Sequence, residues 1–173
     1  MATQKSRLII TIFIFTAGIV FGSLFAVKTP QDRLYSYFAE LAKGYAPYPI
    51  KYGVLVALAV WLLLFFSAYF KFGTLSAGSI ILARGFFDGF CITAILSVLG
   101  IRGVGLFLLD FFDSCCCILM VCAVFSALKD SEYSGGKFLA QRLILLPAML
   151  VCATLDGLLA KPLVGLALKG FGV

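Results

Sequence analysis

The sequence predicts an all-α fold, a polytopic integral membrane helix bundle of about five spanning helices plus one short amphipathic interfacial helix, in a single integral membrane domain over residues 1–173. Three observations predict this fold. Hydrophobic residues make up 62% of the chain and charged residues only 13%. A chain of 173 residues is too short to bury that much apolar surface in its own core. Apolar runs of about 20 residues, which is the length that crosses a bilayer, recur along it.

The predicted spanning helices are separated by connections that carry charges, glycine or proline. In chain order they cover residues 8–27, 52–70, 75–99, 104–128 and 143–159. The first run is longer than the apolar part of a signal peptide and lacks a small-residue cleavage site, which favours an uncleaved helix. Its basic start favours a cytoplasmic N-terminus, although the two sides carry nearly equal numbers of basic residues. The apolar tail after Lys161 and Pro162 is too short to cross again and is expected to lie along the interface.

The long connection after the first span predicts the short interfacial helix, near residues 30–43. Thr29 suits the N-cap and Pro30 suits the first helical position. One apolar stripe follows the i, i+3, i+4, i+7 spacing of a helix; it comprises Leu34, Tyr37, Phe38 and Leu41. Two interpretations stay open, because such a helix can lie flat on a bilayer or pack against the bundle.

Six ionisable residues lie within or at the edge of the apolar spans, and five of them form the predicted intramembrane polar network: Arg84, Asp88, Asp110, Asp113 and Asp156, with Lys161 as the sixth. Charged groups are costly in lipid and usually face the interior of a bundle. Arg84 and Asp88 have the i, i+4 spacing of a helical ion pair. Asp110 and Asp113 share a helix face with Ser114.

Three interpretations of the aspartates stay open. Asp110, Asp113 and Asp156 could line a path for protons or cations. They could instead belong to a structural ion network that fixes helix register, or Asp110 could lie in water near an interface. Function is the default hypothesis for a charge inside a membrane.

The cysteines and the missing histidine bear on catalysis and metal binding. The chain has six cysteines and no histidine, so it lacks the commonest general base and metal ligand. Cys115, Cys116 and Cys117 point about 100° apart on a helix and cannot converge on one ion. The cysteines are therefore predicted to be small apolar filler. We expect no catalytic residue, no metal, no cofactor and no nucleic-acid partner, since the basic residues are scattered.

Two G-x-x-x-G stretches predict close helix packing. They place Gly18 and Gly22 in the first span and Gly85 and Gly89 in the third. Glycines at this spacing let two helix backbones approach closely in a bilayer. They indicate intramembrane packing, within one chain or in a homo-oligomer.

Three parts of the chain resemble the stage II sporulation protein M family. Residues 12–23, IFIFTAGIVFGS, followed by the helix over residues 31–44, are similar to the opening of that family. Residues 80–90, IILARGFFDGF, resemble its central helix, and residues 153–162, ATLDGLLAKP, resemble its final helix. The chain departs from the family at the fourth helix, where residues 110–113, DFFD, stand in place of a histidine-containing element.

The resemblance implies a non-enzymatic scaffold in the cell membrane of endospore-forming bacteria. Members of that family act in engulfment of the forespore and recruit the peptidoglycan-cleaving stage II sporulation proteins D and P. The bilayer and these two proteins are therefore the expected partners. The alternative, which comes from the intramembrane carboxylates, is a small membrane transporter or permease subunit.

Overall fold

The computed structural model describes residues 4–43, 50–67, 72–129 and 136–169, and every regular element in these ranges is a helix. The prediction of an all-α fold is confirmed. These ranges contain six α-helices, with bounds α1 Gln4–Lys28, α2 Gln31–Lys43, α3 Ile50–Ser67, α4 Gly73–Leu99, α5 Val104–Lys129 and α6 Gly136–Lys169. A single 3-10 turn, Gly100–Gly103, joins α4 to α5. Gly100 has a φ of 57°, which glycine adopts without the strain that a Cβ would cause.

The helices pack around α4. The most extensive contact in the described chain joins α1 to α4, and α5 also packs against α4. On the other side, α6 contacts α5 and α3. Because α4 touches α1, α3 and α5, a residue in the middle of α4 is shielded by several neighbours.

Two buried apolar clusters lie at different heights along α4. The first joins α3, α4, α5 and α6 and includes Trp61, Ile81, Met120 and Met149. The second joins α2 to the later part of α4 and to the end of α6; it comprises Leu34, Phe38, Ala94, Ile95, Leu99, Val164 and Ala167. Arg84 and Asp88 lie between the two clusters on α4, in a stretch with apolar packing above and below.

The outward faces of the helices are apolar. Two helical segments, Ser6–Lys28 and Gly73–Gly103, are long and apolar enough to cross a membrane, and Val54–Ser67 and Leu143–Leu155 are shorter apolar helices. Only 17% of the first segment's most apolar stretch and 33% of the second's are buried. The core helix of a water-soluble protein would be mostly buried. Large apolar side chains such as Phe13, Phe21 and Leu63 are exposed, which is the surface a helix presents to lipid.

Helix α2 packs against the bundle, which is one of the two alternatives for this segment. Leu34 and Phe38 are 7% and 6% exposed because they contact α4 and α6. Tyr37 is 44% exposed and lies edge-on to the ring of Phe38, with centroids 5.7 Å apart. The side chain of Leu41 lies outside the described residues. The predicted stripe is therefore divided between the bundle and the outer surface.

The last helix is longer than expected. The fifth span was predicted to end near residue 159, with the following tail at the interface, but α6 continues through Pro147 and Pro162 to Lys169. A proline removes one backbone hydrogen bond and kinks or breaks a helix unless other contacts hold it. Val164 and Ala167, beyond the second proline, are buried against α2 and α4, and this packing explains why the helix continues. Residues 68–70 of the second predicted span lie outside the described residues.

Candidate functional site

The central polar feature of the bundle is an ion pair in the middle of α4. Arg84 Nε and Asp88 Oδ1 are 2.9 Å apart, with the i, i+4 spacing that places both side chains on one helix face. Asp88 is buried, whereas the side chain of Arg84 is 23% exposed. Both residues are more than ten positions from either end of α4. If α4 crosses a bilayer, this pair lies deep in the hydrocarbon layer.

Ser114 of α5 binds both members of this ion pair. Arg84 Nε donates a hydrogen bond to Ser114 Oγ at 3.1 Å, and Ser114 Oγ donates to Asp88 Oδ2. Ser114 is 3% exposed, so its hydroxyl accepts from the cation and donates to the anion in a nearly dry environment. We call Arg84, Asp88 and Ser114 the polar centre. It joins α4 to α5 through side chains, and the hydroxyl of Ser114 uses its proton and one lone pair in bonds to charged partners.

The polar centre is a contact between oppositely charged groups that bind each other. The carboxylate carries one negative charge and the guanidinium one positive charge, so the group is neutral as a whole. Breaking a buried pair by removing one partner is strongly destabilising, because it leaves a buried charge without compensation. The arrangement therefore specifies which face of α5 meets α4, and both carboxylate oxygens of Asp88 are engaged.

A glycine-lined contact joins α1 to α4 beside the polar centre. A Cβ added to Gly18 would lie 2.9 Å from Phe86 N, and one added to Gly22 would lie 2.8 Å from Phe86 C. Both would also collide with a carbonyl oxygen of α4. Gly85 and Gly89 repeat the pattern from the other side, since their added Cβ atoms would collide with the carbonyl oxygens of Phe15 and Ile19 of α1. The glycines of each helix therefore contact the backbone of the other helix.

One hydrogen bond and two ring contacts also join α1 to α4 at the glycine-lined contact. Ser23 Oγ of α1 donates a hydrogen bond to the carbonyl oxygen of Gly89, with 3.2 Å between the atoms. The ring of Phe25 lies 5.8 Å from that of Phe86 and 6.1 Å from that of Phe90, centroid to centroid. These contacts depend on the close approach, because a hydroxyl on one helix can reach a backbone oxygen of another only where no side chains intervene.

The structure describes the side chains of two of the five residues in the predicted polar network. It brings Arg84 and Asp88 together as the i, i+4 spacing predicts. Asp110 and Asp113 lie on α5 and Asp156 lies on α6, but the side chains of all three lie outside the described residues. Their predicted path or network therefore stays a prediction. The four glycines predicted to support packing are all at the α1–α4 contact.

Sequence reasoning did not assign a role to Ser114 or Ser23. Ser114 lies one turn after Asp110, so its position on a polar helix face was a usable signal. Ser23 directly follows Gly22, and a serine beside a glycine pair is a common hydrogen-bonding position in membrane helices. Neither signal names the partner helix, which only the folded arrangement supplies.

The cysteines form no disulfide, and Cys117 is buried in the apolar cluster around α5. Cys122 Sγ lies 3.6 Å from the hydroxyl of Thr11, which joins α5 to α1. Within the described ranges, no three acidic, cysteine or histidine side chains lie close enough to hold a metal ion.

Comparison with known proteins assigns no family. The sequence matches no protein-family model and no curated protein, and the structure matches no solved structure.

Proposed function

We propose that this chain is a multi-pass integral membrane protein of the cell membrane, with about five spanning helices, that acts as a scaffold and not as an enzyme. Support comes from the apolar outer faces of α1, α3, α4 and α6, which expose large side chains that water would disfavour. The polar centre adds support, because its charges compensate each other between two apolar clusters. Intramembrane charges used in this way stabilise a bundle without leaving a charge toward lipid.

The scaffold proposal rests on how α2 is attached to the bundle. Two buried side chains, Leu34 and Phe38, attach α2 to the ends of α4 and α6. Arg33, Tyr35 and Tyr37 are exposed on the flanks of this buried stripe. Tyrosine and arginine are enriched among the residues that dominate protein–protein binding energy. A helix held against the bundle with these side chains exposed is suited to binding a partner at the membrane surface.

The resemblance to the stage II sporulation protein M family supplies the partners for this proposal. By that resemblance, α2 recruits the peptidoglycan-cleaving stage II sporulation proteins D and P during forespore engulfment. The α2 segment is itself one of the stretches that carry the resemblance. In this proposal the described bundle holds α2 at a fixed distance from the bilayer.

Co-purification tests this proposal. The tagged chain is expressed with stage II sporulation proteins D and P, solubilised in mild detergent and captured. We expect both proteins to be captured by the wild type and capture to fall at least fivefold for the double variant Arg33→Ala, Tyr35→Ala. Arg102→Ala is the matched control, since Arg102 is an exposed arginine on the 3-10 turn and not on α2. No capture by the wild type, or equal capture by the double variant, would contradict the scaffold proposal.

Membrane integration is tested separately. We expect the chain to stay in the membrane fraction after an alkaline wash and to need detergent for solubility, because its apolar surface has no other solvent. Release into the alkaline wash would contradict the multi-pass proposal. If the chain is integral but captures neither partner, flux of protons or cations in reconstituted vesicles that is lost in Asp113→Asn would replace the scaffold with the transport alternative.

A further inference from the structure

A cleft of about 380 Å³ lies where the α1–α2 corner passes over α4. This volume falls within the usual range for small-molecule sites. One part of its wall is apolar and includes Ala26, Leu34 and Leu96. Another part is polar and includes Gln31, Thr93 and Ser97. A site with apolar and polar walls side by side suits an amphipathic ligand.

Thr93 contributes an unusual hydroxyl to this cleft. Thr11, Thr16 and Thr154 each donate to the backbone carbonyl four residues earlier, which is how threonine normally satisfies its hydroxyl inside a membrane helix. For Thr93 that carbonyl belongs to Gly89, and Ser23 of α1 already donates to it. Within the described part of the chain, the Thr93 hydroxyl has no hydrogen-bond partner. Because Ser23 donates to the Gly89 carbonyl at the glycine-lined contact, the Thr93 hydroxyl is a hydrogen-bond donor in the wall of the cleft.

The cleft lies at a defined depth. Thr93 is six residues before Leu99, the last residue of α4, which is about 9 Å along the helix axis. The apolar run of α1 ends at the same corner, where Lys28 is exposed. The polar layer of a bilayer is roughly 5–8 Å thick on each side. If Leu99 lies at the outer surface of the bilayer, Thr93 lies at the inner edge of the polar layer, next to the glycerol esters of phospholipids.

Charge at the corner favours an anion. Lys28 and Arg33 are exposed on either side of Gln31, and the one carboxylate between them is that of Asp32. The amide of Gln31 is a donor that can approach a phosphate oxygen from the cleft wall. Cations at the end of a membrane helix attract anionic head groups in the same way.

We propose that this cleft binds one anionic phospholipid from the surrounding bilayer. The Thr93 hydroxyl donates to a glycerol-ester oxygen and the Gln31 amide donates to the phosphate, while the start of an acyl chain lies against Leu34 and Leu96. A lipid bound there would fill the space between α2 and α4. The inference rests on the multi-pass part of the proposed function and is independent of the scaffold's partners.

Native mass spectrometry of the full chain in detergent, titrated with dioleoyl phosphatidylglycerol, tests the site. We expect one lipid adduct to survive at collision energies that strip all the others. Thr93→Val keeps the shape of the side chain and removes the donor, so the affinity for that lipid should fall roughly threefold to tenfold. Leu96→Trp should reduce it further by filling the cleft.

Two matched controls complete the experiment. Thr16→Val removes an exposed hydroxyl that donates to Ile12 on α1, and Leu119→Trp places an indole on an exposed position of α5, so both should bind like wild type. Equal affinity for Thr93→Val and Thr16→Val would overturn the assignment, as would equal affinity for the two tryptophan variants. Displacement of the lipid by millimolar inorganic phosphate would show that the site binds free phosphate instead. Retention of the lipid by a chain that captures neither protein partner would uphold this site and contradict the scaffold alone.

Discussion

The glycine-lined contact makes the sharpest prediction about stability. Gly22→Ala adds one methyl group where the backbone of α4 already occupies the space. The new Cβ would collide with the carbonyl oxygen of Phe86 and would lie 2.9 Å from Phe90 N. Backbone atoms of a packed helix cannot rotate away as the end of a flexible side chain can. The two helices must therefore separate along the contact.

The magnitude follows from what the separation breaks. Forcing an extra methyl group into a well-packed site costs about 1–3 kcal/mol. The hydrogen bond from Ser23 to the carbonyl of Gly89 contributes about 0.5–1.5 kcal/mol and would be lost with the close approach. Relative to a variant that gains the same helix propensity, we expect the free energy of unfolding to fall by about 1.5–4.5 kcal/mol, which is roughly a 10- to 1,600-fold change in the unfolding equilibrium constant.

Gly78→Ala is the matched control. Gly78 lies on α4 facing α1, but its nearest neighbour would be Ile14 Cδ1 at 4.0 Å from the added Cβ, an ordinary contact. Replacing glycine by alanine in a helix also gains about 1 kcal/mol of helix propensity. Since both variants gain it, the difference between them isolates the collision.

Unfolding in mixed micelles with a rising fraction of sodium dodecyl sulfate measures this difference, with fluorescence of the single tryptophan as the readout. Trp61 is buried and stacks on Phe65, with ring centroids 5.0 Å apart. Ile14 and Phe15 of α1 pack against the same cluster, so detachment of α1 reaches the reporter. If Gly22→Ala unfolds at the same detergent fraction as Gly78→Ala, the close approach of α1 and α4 is wrong.

The polar centre and α2 give further expectations, the first two measured by the same unfolding assay. Asp88→Ala should lower the free energy of unfolding by about 3–5 kcal/mol because Arg84 keeps its charge in an apolar setting; the double variant with Arg84→Leu should recover much of that loss, and no recovery would refute the pairing. Ser114→Ala should cost about 1–3 kcal/mol, since two charged groups lose a partner; a neutral result would remove Ser114 from the centre. Phe38→Ala should detach α2 and speed tryptic cleavage there at least fivefold, whereas Tyr37→Ala, at an exposed ring, should cleave like wild type.

Local spacing was enough to predict several features of this protein. The apolar runs predict helices, and α4 and α5 begin and end within two residues of the predicted third and fourth spans. The i, i+4 spacing of Arg84 and Asp88 predicts their contact, since both lie on one helix and its geometry alone brings them together. The spacing of Gly18 and Gly22 predicts a flat helix face, but the sequence does not say which helix covers it.

Long-range packing decided the rest. The continuation of α6 beyond the predicted span was not foreseen from the sequence, because Pro162 disfavours an isolated helix, whereas burial of Val164 and Ala167 against α2 and α4 supports the helix beyond it. The two alternatives for α2 could not be separated from its amphipathic pattern, because lipid and a protein surface both cover an apolar stripe. Contacts of Leu34 and Phe38 with α4 and α6 separate them.

Composition and periodicity, which are properties of neighbouring residues, determined that this chain is helical, that its helices are apolar on the outside, and that Arg84 and Asp88 share a face. The tertiary structure alone decides three contacts. Ser114 is the common partner of Arg84 and Asp88, α4 is the helix that meets the glycines of α1, and Gly89 is the acceptor for Ser23. These contacts join residues 26 to 68 positions apart in the sequence. No local pattern encodes such a distance, because it depends on how whole helices are arranged around one another.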